Sequence, residues 1–203
     1  MTTPTKPYHH GNLREALLDA AQELIAEHGA QALTLREVAK AAAVSHAAPY
    51  HHFDSLEALM AAVGERGFAM LAQRMSEAER SGTRKKAPKQ RLLGICEAYV
   101  AFAQAHPETF RLMFGPLLAR KREHPALQQA AERAFDVLLV AAIDHAKSVG
   151  KAKEGPELAL SGWSLAHGFA HLAIDGAFDS LPIVVPDRRT LARRLGERLL
   201  MDR

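Results

Sequence analysis

Apolar residues in this chain recur every three or four positions almost from end to end, and proline and glycine cut that period into pieces. Leu13, Leu17, Ala20, Leu24 and Ile25 form the first stripe, and Gly29 ends it. Later breaks fall at His106-Pro107, Gly115-Pro116, His124-Pro125, Gly150 and Leu181-Pro182. A period of about 3.6 puts each stripe on one side of a helix, so each piece is a helix with one face to bury. The exception is Ile183-Val184-Val185, a strand candidate boxed in by Pro182 and Pro186. The expected fold class is all-α. Nine helices are predicted, near 13–28, 34–42, 46–53, 54–78, 89–105, 107–115, 125–149, 155–179 and 188–201.

Local chemistry sharpens the first four. Thr34 to Glu37 fits a capping box, with Leu33 and Val38 at the staple positions. Ser45 is an N-cap candidate for the third helix, and Pro49 stands in its first turn, where a missing N–H is best tolerated. Asp54 and Glu57 suggest a second capping box, followed by the stripe Leu56, Leu59, Met60 and Val63. Ser81 to Lys89 reads as a polar, basic linker. The expected organisation is a head of residues 1–60 and a larger helical body of residues 61–203.

Composition removes several classes. With 203 residues and 48% hydrophobic content the chain can bury a sizeable core. It has no run of about 18 apolar residues, so no membrane span is expected. The first eleven residues lack the apolar stretch of a signal peptide. The single cysteine, Cys96, forbids an intrachain disulfide and points to a reducing, cytoplasmic setting. Between Ile95 and Tyr99 on an apolar helix, it reads as a buried, inert thiol. There is no Gly-rich phosphate loop, no G-x-S-x-G and no H-E-x-x-H, so no enzyme chemistry is indicated and no cofactor is expected.

Two short helices with a three-residue turn between them, Leu35–Ala42 and His46–Phe53, have helix-turn-helix dimensions. Dimensions alone leave a plain helical hairpin open. The residues go further. Leu33-Thr34-Leu35-Arg36-Glu37-Val38-Ala39-Lys40-Ala41-Ala42-Ala43-Val44-Ser45, followed by Pro49-Tyr50-His51-His52-Phe53, resembles the DNA-binding head of the TetR family. Tyr8-His9-His10-Gly11-Asn12-Leu13-Arg14 and Trp163-Ser164-Leu165-Ala166-His167-Gly168 resemble one subgroup, whose body carries a Trp-His-Gly signature. The resemblance implies a homodimer that binds a roughly palindromic double-stranded operator, represses transcription, and is released by a small-molecule effector. Carried over by position, it places Thr34 and Arg36 near phosphates and Ser45, His46, Ala47 and Ala48 in the major groove. Tyr50 and His51 would contact backbone or bases, and Phe53 would be core.

Two positions depart from the family pattern. Ala43 stands where the turn glycine is usual; a positive φ there would cost about 1 kcal/mol. Leu56 replaces a lysine that often lies near a phosphate. Charge is a further difficulty. Residues 1–60 hold four Lys/Arg against seven Asp/Glu, a net −3, whereas residues 61–91 hold eight against three, a net +5. Phosphate contacts would then rest on hydroxyls, helix N-termini and the titrating His9, His10, His46, His51 and His52.

In the body, Trp163 and His167 share a helix face. They read either as a packing pair or as part of an effector cavity with Tyr99, Phe102 and Phe114. That inventory suits a largely apolar ligand oriented by His167. His167, His171 and Asp175 lie four apart, yet adjacent turns of one helix rarely complete a metal site, and no metal is expected.

Overall fold

The computed structural model describes residues 13–80 and 87–201. Eight α-helices carry the fold: α1 (Leu13–His28), α2 (Leu35–Ala41), α3 (Leu56–Arg80), α4 (Pro88–Ala105), α5 (Pro107–Phe114), α6 (Pro125–Ser148), α7 (Gly155–Ile174) and α8 (Arg188–Leu199). No strand occurs among the described residues, and Ile183 and Val184 stand exposed in a loop. The opening segment Tyr8 to Asn12 and the linker core 81–86 lie outside the described residues.

The spine is α3. Its apolar face, Leu59, Met60, Val63, Phe68, Leu71 and Met75, is buried along five turns. It packs on α1 at its start and on α4, α5 and α6 along its length. Two glycines set the distance to α5 and to the turn that follows it. A Cβ at Gly67 would stand 2.7 Å from the Met113 sulfur, and one at Gly64 would stand 2.6 Å from Leu118 Cδ1. Met113 and Leu118 can be fully buried against the spine because nothing projects there. Arg66, between those glycines, reaches back to α1, bonding Glu15 at 2.5 Å and Asp19 at 2.6 Å. Burial opposes its charge, but the two carboxylates prevail and hold the guanidinium more firmly protonated than usual. Arg91 makes the matching tie in the body, from α4 to Glu79 of α3 and Asp144 of α6.

The end of α2 shows why a short helix stops where it does. Ala43 has φ +55°, the only positive φ of a non-glycine among the described residues. The Val44 N–H returns to the Ala39 carbonyl at 3.0 Å and the Ala43 N–H to Lys40 at 3.1 Å. That is the Schellman pattern, with an alanine in the left-handed position where glycine is favoured. The expectation for Ala43 is met.

Three boundaries differ from the sequence expectation. The third helix is a single 3-10 turn, Ala48–His51. Pro49 has no N–H to give the Ser45 carbonyl, which instead accepts from Ala48 at 3.0 Å, so the tighter winding replaces an α-turn. Ser45 makes no side-chain cap there. α3 starts at Leu56 rather than Asp54, because the Ser55 hydroxyl accepts from the Ala58 N–H at 3.1 Å. α7 ends at Ile174; Gly176, at φ +69°, turns the chain into a separate 3-10 turn.

Replacing Ala43 by Gly should relieve the left-handed strain and stabilise the protein by about 1 kcal/mol, less the entropy that glycine adds to the unfolded chain. Urea denaturation reads this directly, and a lower midpoint for the glycine variant would contradict it.

Candidate functional site

The first part of the site is the surface of the head. Thr34 caps α2, its hydroxyl oxygen accepting from the Glu37 N–H at 3.2 Å. The hydroxyl proton goes to the Glu37 carboxylate at 2.8 Å, so that carboxylate turns to the hydroxyl rather than to the Thr34 N–H expected from sequence. Thr34, Arg36, Ser45, His46, Ala47, Tyr50 and His51 are all exposed on α2 and the turn after it. Ala48 is not: it is 9% exposed and points into the core beside Pro49, which corrects its expected place in the groove. Phe53 is buried as expected, beneath the Arg14 guanidinium at 5.5 Å. Ala48, Pro49 and Phe53 thus anchor the turn from below. Tyr50 stands above it, 61% exposed.

Part of the acidic balance of the head is met inside the structure. Glu15 and Asp19 face Arg66, the Glu37 carboxylate accepts from the Thr34 hydroxyl, and Glu57 lies 3.5 Å from the His124 ring. Counting charges by segment missed the first of these, because Arg66 lies outside the first sixty residues.

The second part is a cavity of about 340 Å³ in the body. Phe68, Leu71 and Met75 of α3 form one wall. Tyr99 of α4, Phe114 of α5, Ala131, Phe135 and Leu138 of α6, and Trp163 of α7 complete it. Lys121, Gln128, Glu132 and Asp136 stand at the rim. Of the expected lining residues, Tyr99, Phe114 and Trp163 are present. His167 lies behind Tyr99, and Phe102 is turned away onto the His106 ring.

A polar relay sits in this apolar wall. The Trp163 indole N–H, which can only donate, reaches the Tyr99 oxygen at 3.3 Å. The Tyr99 hydroxyl and His167 Nδ1 lie 2.8 Å apart and share a hydrogen bond whose donor is set by the imidazole tautomer. Burial pushes the Tyr99 phenol up, and burial, then His171, lowers the His167 pKa. The rings of Phe110 and Phe114 close around His167 at 5.5 and 4.7 Å. Asp175 is bonded to Arg111 at 2.6 Å, and among the described residues no three His, Cys, Asp or Glu groups cluster for a metal. Burial, then Glu97, pushes the Cys96 thiol up to about 12, so it is not a thiolate near neutrality.

Sequence reasoning missed α5 as a connector. Phe110 and Phe114 belong to the aromatic cluster, while the Glu108 carboxylate lies against Gly29 at the end of α1. Arg111, paired with Glu108 one turn earlier on the same helix, ties α5 to the end of α7, at Asp175 and the Ile174 carbonyl.

The relay has a pH signature. A His whose folded pKa is lowered leaves stability intact above its ordinary value near 6.5 and loses it as pH falls through the folded value. His145, buried and lowered by burial and then Lys89, acts in the same direction. Urea midpoints should therefore drop between about pH 7.5 and about pH 5.5, and the drop should be smaller in His167→Gln. Equal drops in both proteins would remove His167 from the account.

Comparison with known proteins agrees with this arrangement. Residues 17–63 match the family model described as bacterial regulatory proteins, tetR family, and residues 92–199 match the tetracyclin repressor-like C-terminal domain. The chain is 47% identical over 47 residues to the HTH-type transcriptional repressor KstR2 of Rhodococcus jostii (strain RHA1). It is 35% identical over 66 residues to the repressor AcnR of Corynebacterium efficiens. Those alignments span 23% and 35% of the relatives' own lengths. A protein of unknown function from Rhodococcus sp. RHA1 has the same fold, with TM-score 0.76 and 29% identity, over 96% of this chain and 97% of that one. FadR from Bacillus subtilis, solved in complex with stearoyl-CoA, shares the fold at TM-score 0.71 and 15% identity, over 93% and 98% of the two chains. With one family model covering more than half of the chain and a second covering its head, this protein belongs to the tetR family of bacterial regulatory proteins.

Proposed function

We propose that the protein is a homodimeric, cytoplasmic repressor that binds an operator through residues 1–60 and is released by a small molecule held in the body. The observation that carries this is the double role of α3. Its first turn, capped by Ser55, abuts the anchored turn that displays Tyr50, and its middle, Phe68, Leu71 and Met75, is a wall of the cavity. One helix therefore touches both places. An effector that fits the cavity only after α3 has shifted must weaken DNA binding, and DNA must weaken effector binding by the same factor. KstR2 and AcnR, named as repressors, support repression as the sense of regulation.

In the head, Tyr50 is assigned the central contact, with His46, Ala47, Ser45 and His51 around it and Thr34 and Arg36 toward phosphates. Dimerisation is assigned to α7 and α8. Leu160, Ser164, Gly168 and Leu172 follow one another at four-residue spacing on an exposed stripe of α7. Beyond its own stretch of α7, nothing among the described residues lies within 4 Å of a Cβ built on Gly168, so a partner helix has room to approach closely. The two helices and their symmetry mates then form a four-helix seam. The helices hold no membrane span among the described residues.

Tyr50→Ala should weaken operator binding by about 1–3 kcal/mol while the circular dichroism spectrum stays unchanged. With few fixed cations on the head, the salt dependence should be shallow, at about −0.9 in log–log slope for each phosphate contacted. A mobility shift against the DNA upstream of its own gene measures both. Unaltered affinity in the Tyr50 variant would move the reading surface elsewhere.

Putting charge on the stripe, in Leu160→Glu with Leu172→Glu, should convert the dimer to a folded monomer by light scattering and remove most operator affinity, since half-sites are then bound singly. A double variant that remains dimeric would place the seam on another face.

A further inference from the structure

The cavity carries a cation for which a purely apolar ligand has no use. Lys121 lies in the turn after α5, where the chain crosses the cavity mouth. Its ammonium stands 5.8 Å from the Phe68 ring centroid and 5.9 Å from that of Phe114, over the two rings that close this end. Those rings meet edge to face at 5.2 Å, so they form one aromatic corner beneath the charge. The ammonium donates to the Leu118 carbonyl at 3.4 Å, and among the described residues it has no carboxylate partner.

The two acids of the rim are differently placed. Glu132 and Asp136 are exposed on α6, and Glu132 accepts from Gln128 at 2.7 Å. Water solvates both carboxylates. Lys121 is half-buried, and that burial weakens its hold on its proton. Of the charged groups at the mouth, the lysine is the one whose solvation is incomplete, so it gains most from an incoming opposite charge. The interior behind it is apolar, and its ~340 Å³ is near the lower end of the roughly 300–1,000 Å³ usual for small-molecule sites.

We propose that the effector is an amphipathic carboxylate, with a single apolar chain lying among Leu71, Met75, Phe135 and Trp163 and its carboxylate on Lys121. This rests on the cavity being the effector site, as assigned above. The rings of Phe68 and Phe114 keep the ammonium at the end of the chain, where a carboxylate would supply the opposite charge that its partial burial leaves wanting. A neutral chain of the same length fills the same interior and leaves the charge half-solvated. A cationic chain meets Lys121 directly.

The test uses the full-length protein and three probes below their micelle concentrations: decanoate, decanol and decyltrimethylammonium. Emission of Trp163, the single tryptophan, reports binding, and a mobility shift reports DNA release. Decanoate should bind at least tenfold more tightly than decanol, and the cation most weakly. In Lys121→Met, which keeps the length and apolar character of the stem, decanoate should fall to within threefold of decanol, with decanol unchanged. Lys121→Arg should retain the preference, and thermal melts should show both variants folded. Equal binding of decanoate and decanol by the unaltered protein overturns the proposal, as does a preference that survives Lys121→Met. Tightest binding by the cation would give the mouth to Glu132 and Asp136 instead, and also overturns it. If none of the probes alters Trp163 emission or DNA binding, the cavity assignment falls, and this proposal falls with it.

Discussion

The approach of α3 to α5 is the contact on which the rest of the molecule depends. It is made possible by the missing side chain at Gly67, filled by Met113, while Gly64 makes room for Leu118 in the turn that follows α5. A larger residue at Gly67 would press on Met113 and Thr109 of α5, the helix that touches both the end of α1 and the aromatic cluster. Arg66 lies between the glycines and ties the same stretch of α3 to α1. Over four residues, therefore, the spine receives the head on one side and the connector on the other. Interiors packed this closely do not deform smoothly; they change by moving from one arrangement to another. A two-state response is the natural behaviour of such a junction.

The cavity illustrates a related economy. An apolar pocket with no polar group would bind apolar matter of many shapes, whereas a pocket with an unsatisfied polar group would be costly to keep open. Trp163, Tyr99 and His167 avoid both outcomes by satisfying one another in a line, indole to phenol to imidazole. The relay holds the Trp163 and Tyr99 rings of the cavity wall against each other and against His167. On the proposed reading, that rigidity lets a small ligand be read by shape.

Much of this was legible in sequence, for reasons that differ by residue. The helical period and its proline breaks predicted all-α architecture, and most helix ends fall where glycine or proline stands. Thr34 and Glu37 announced the start of α2 because capping is local chemistry, and Ala43 announced strain because only backbone conformation was at issue. The third helix was misread, since its length and N-cap candidate argued for an α-turn while Pro49 withheld the N–H that would have closed it. Ala48 was placed in the groove by carry-over from the family, whereas it is buried beside Pro49 in that turn. The acidic head looked unfavourable to DNA because charge was summed along the chain, whereas Arg66, from beyond the first sixty residues, pairs with Glu15 and Asp19 across space. Phe102 was set in the cavity because it is aromatic and lies on a helix expected near Trp163, and such an inventory cannot say which buried neighbour a side chain meets.

The anchoring of Tyr50 bears on kinetics as well as on contact. Its backbone follows a ring-locked proline and the buried Ala48, so, on the proposed reading, the tyrosine would enter an encounter with two side-chain torsions to settle and almost nothing else. Little ordering entropy is then spent at the moment of docking. A surface of that kind samples many wrong sequences quickly and lets go of them quickly. Discrimination between an operator and other DNA would be expressed in how long the protein stays, not in how fast it arrives.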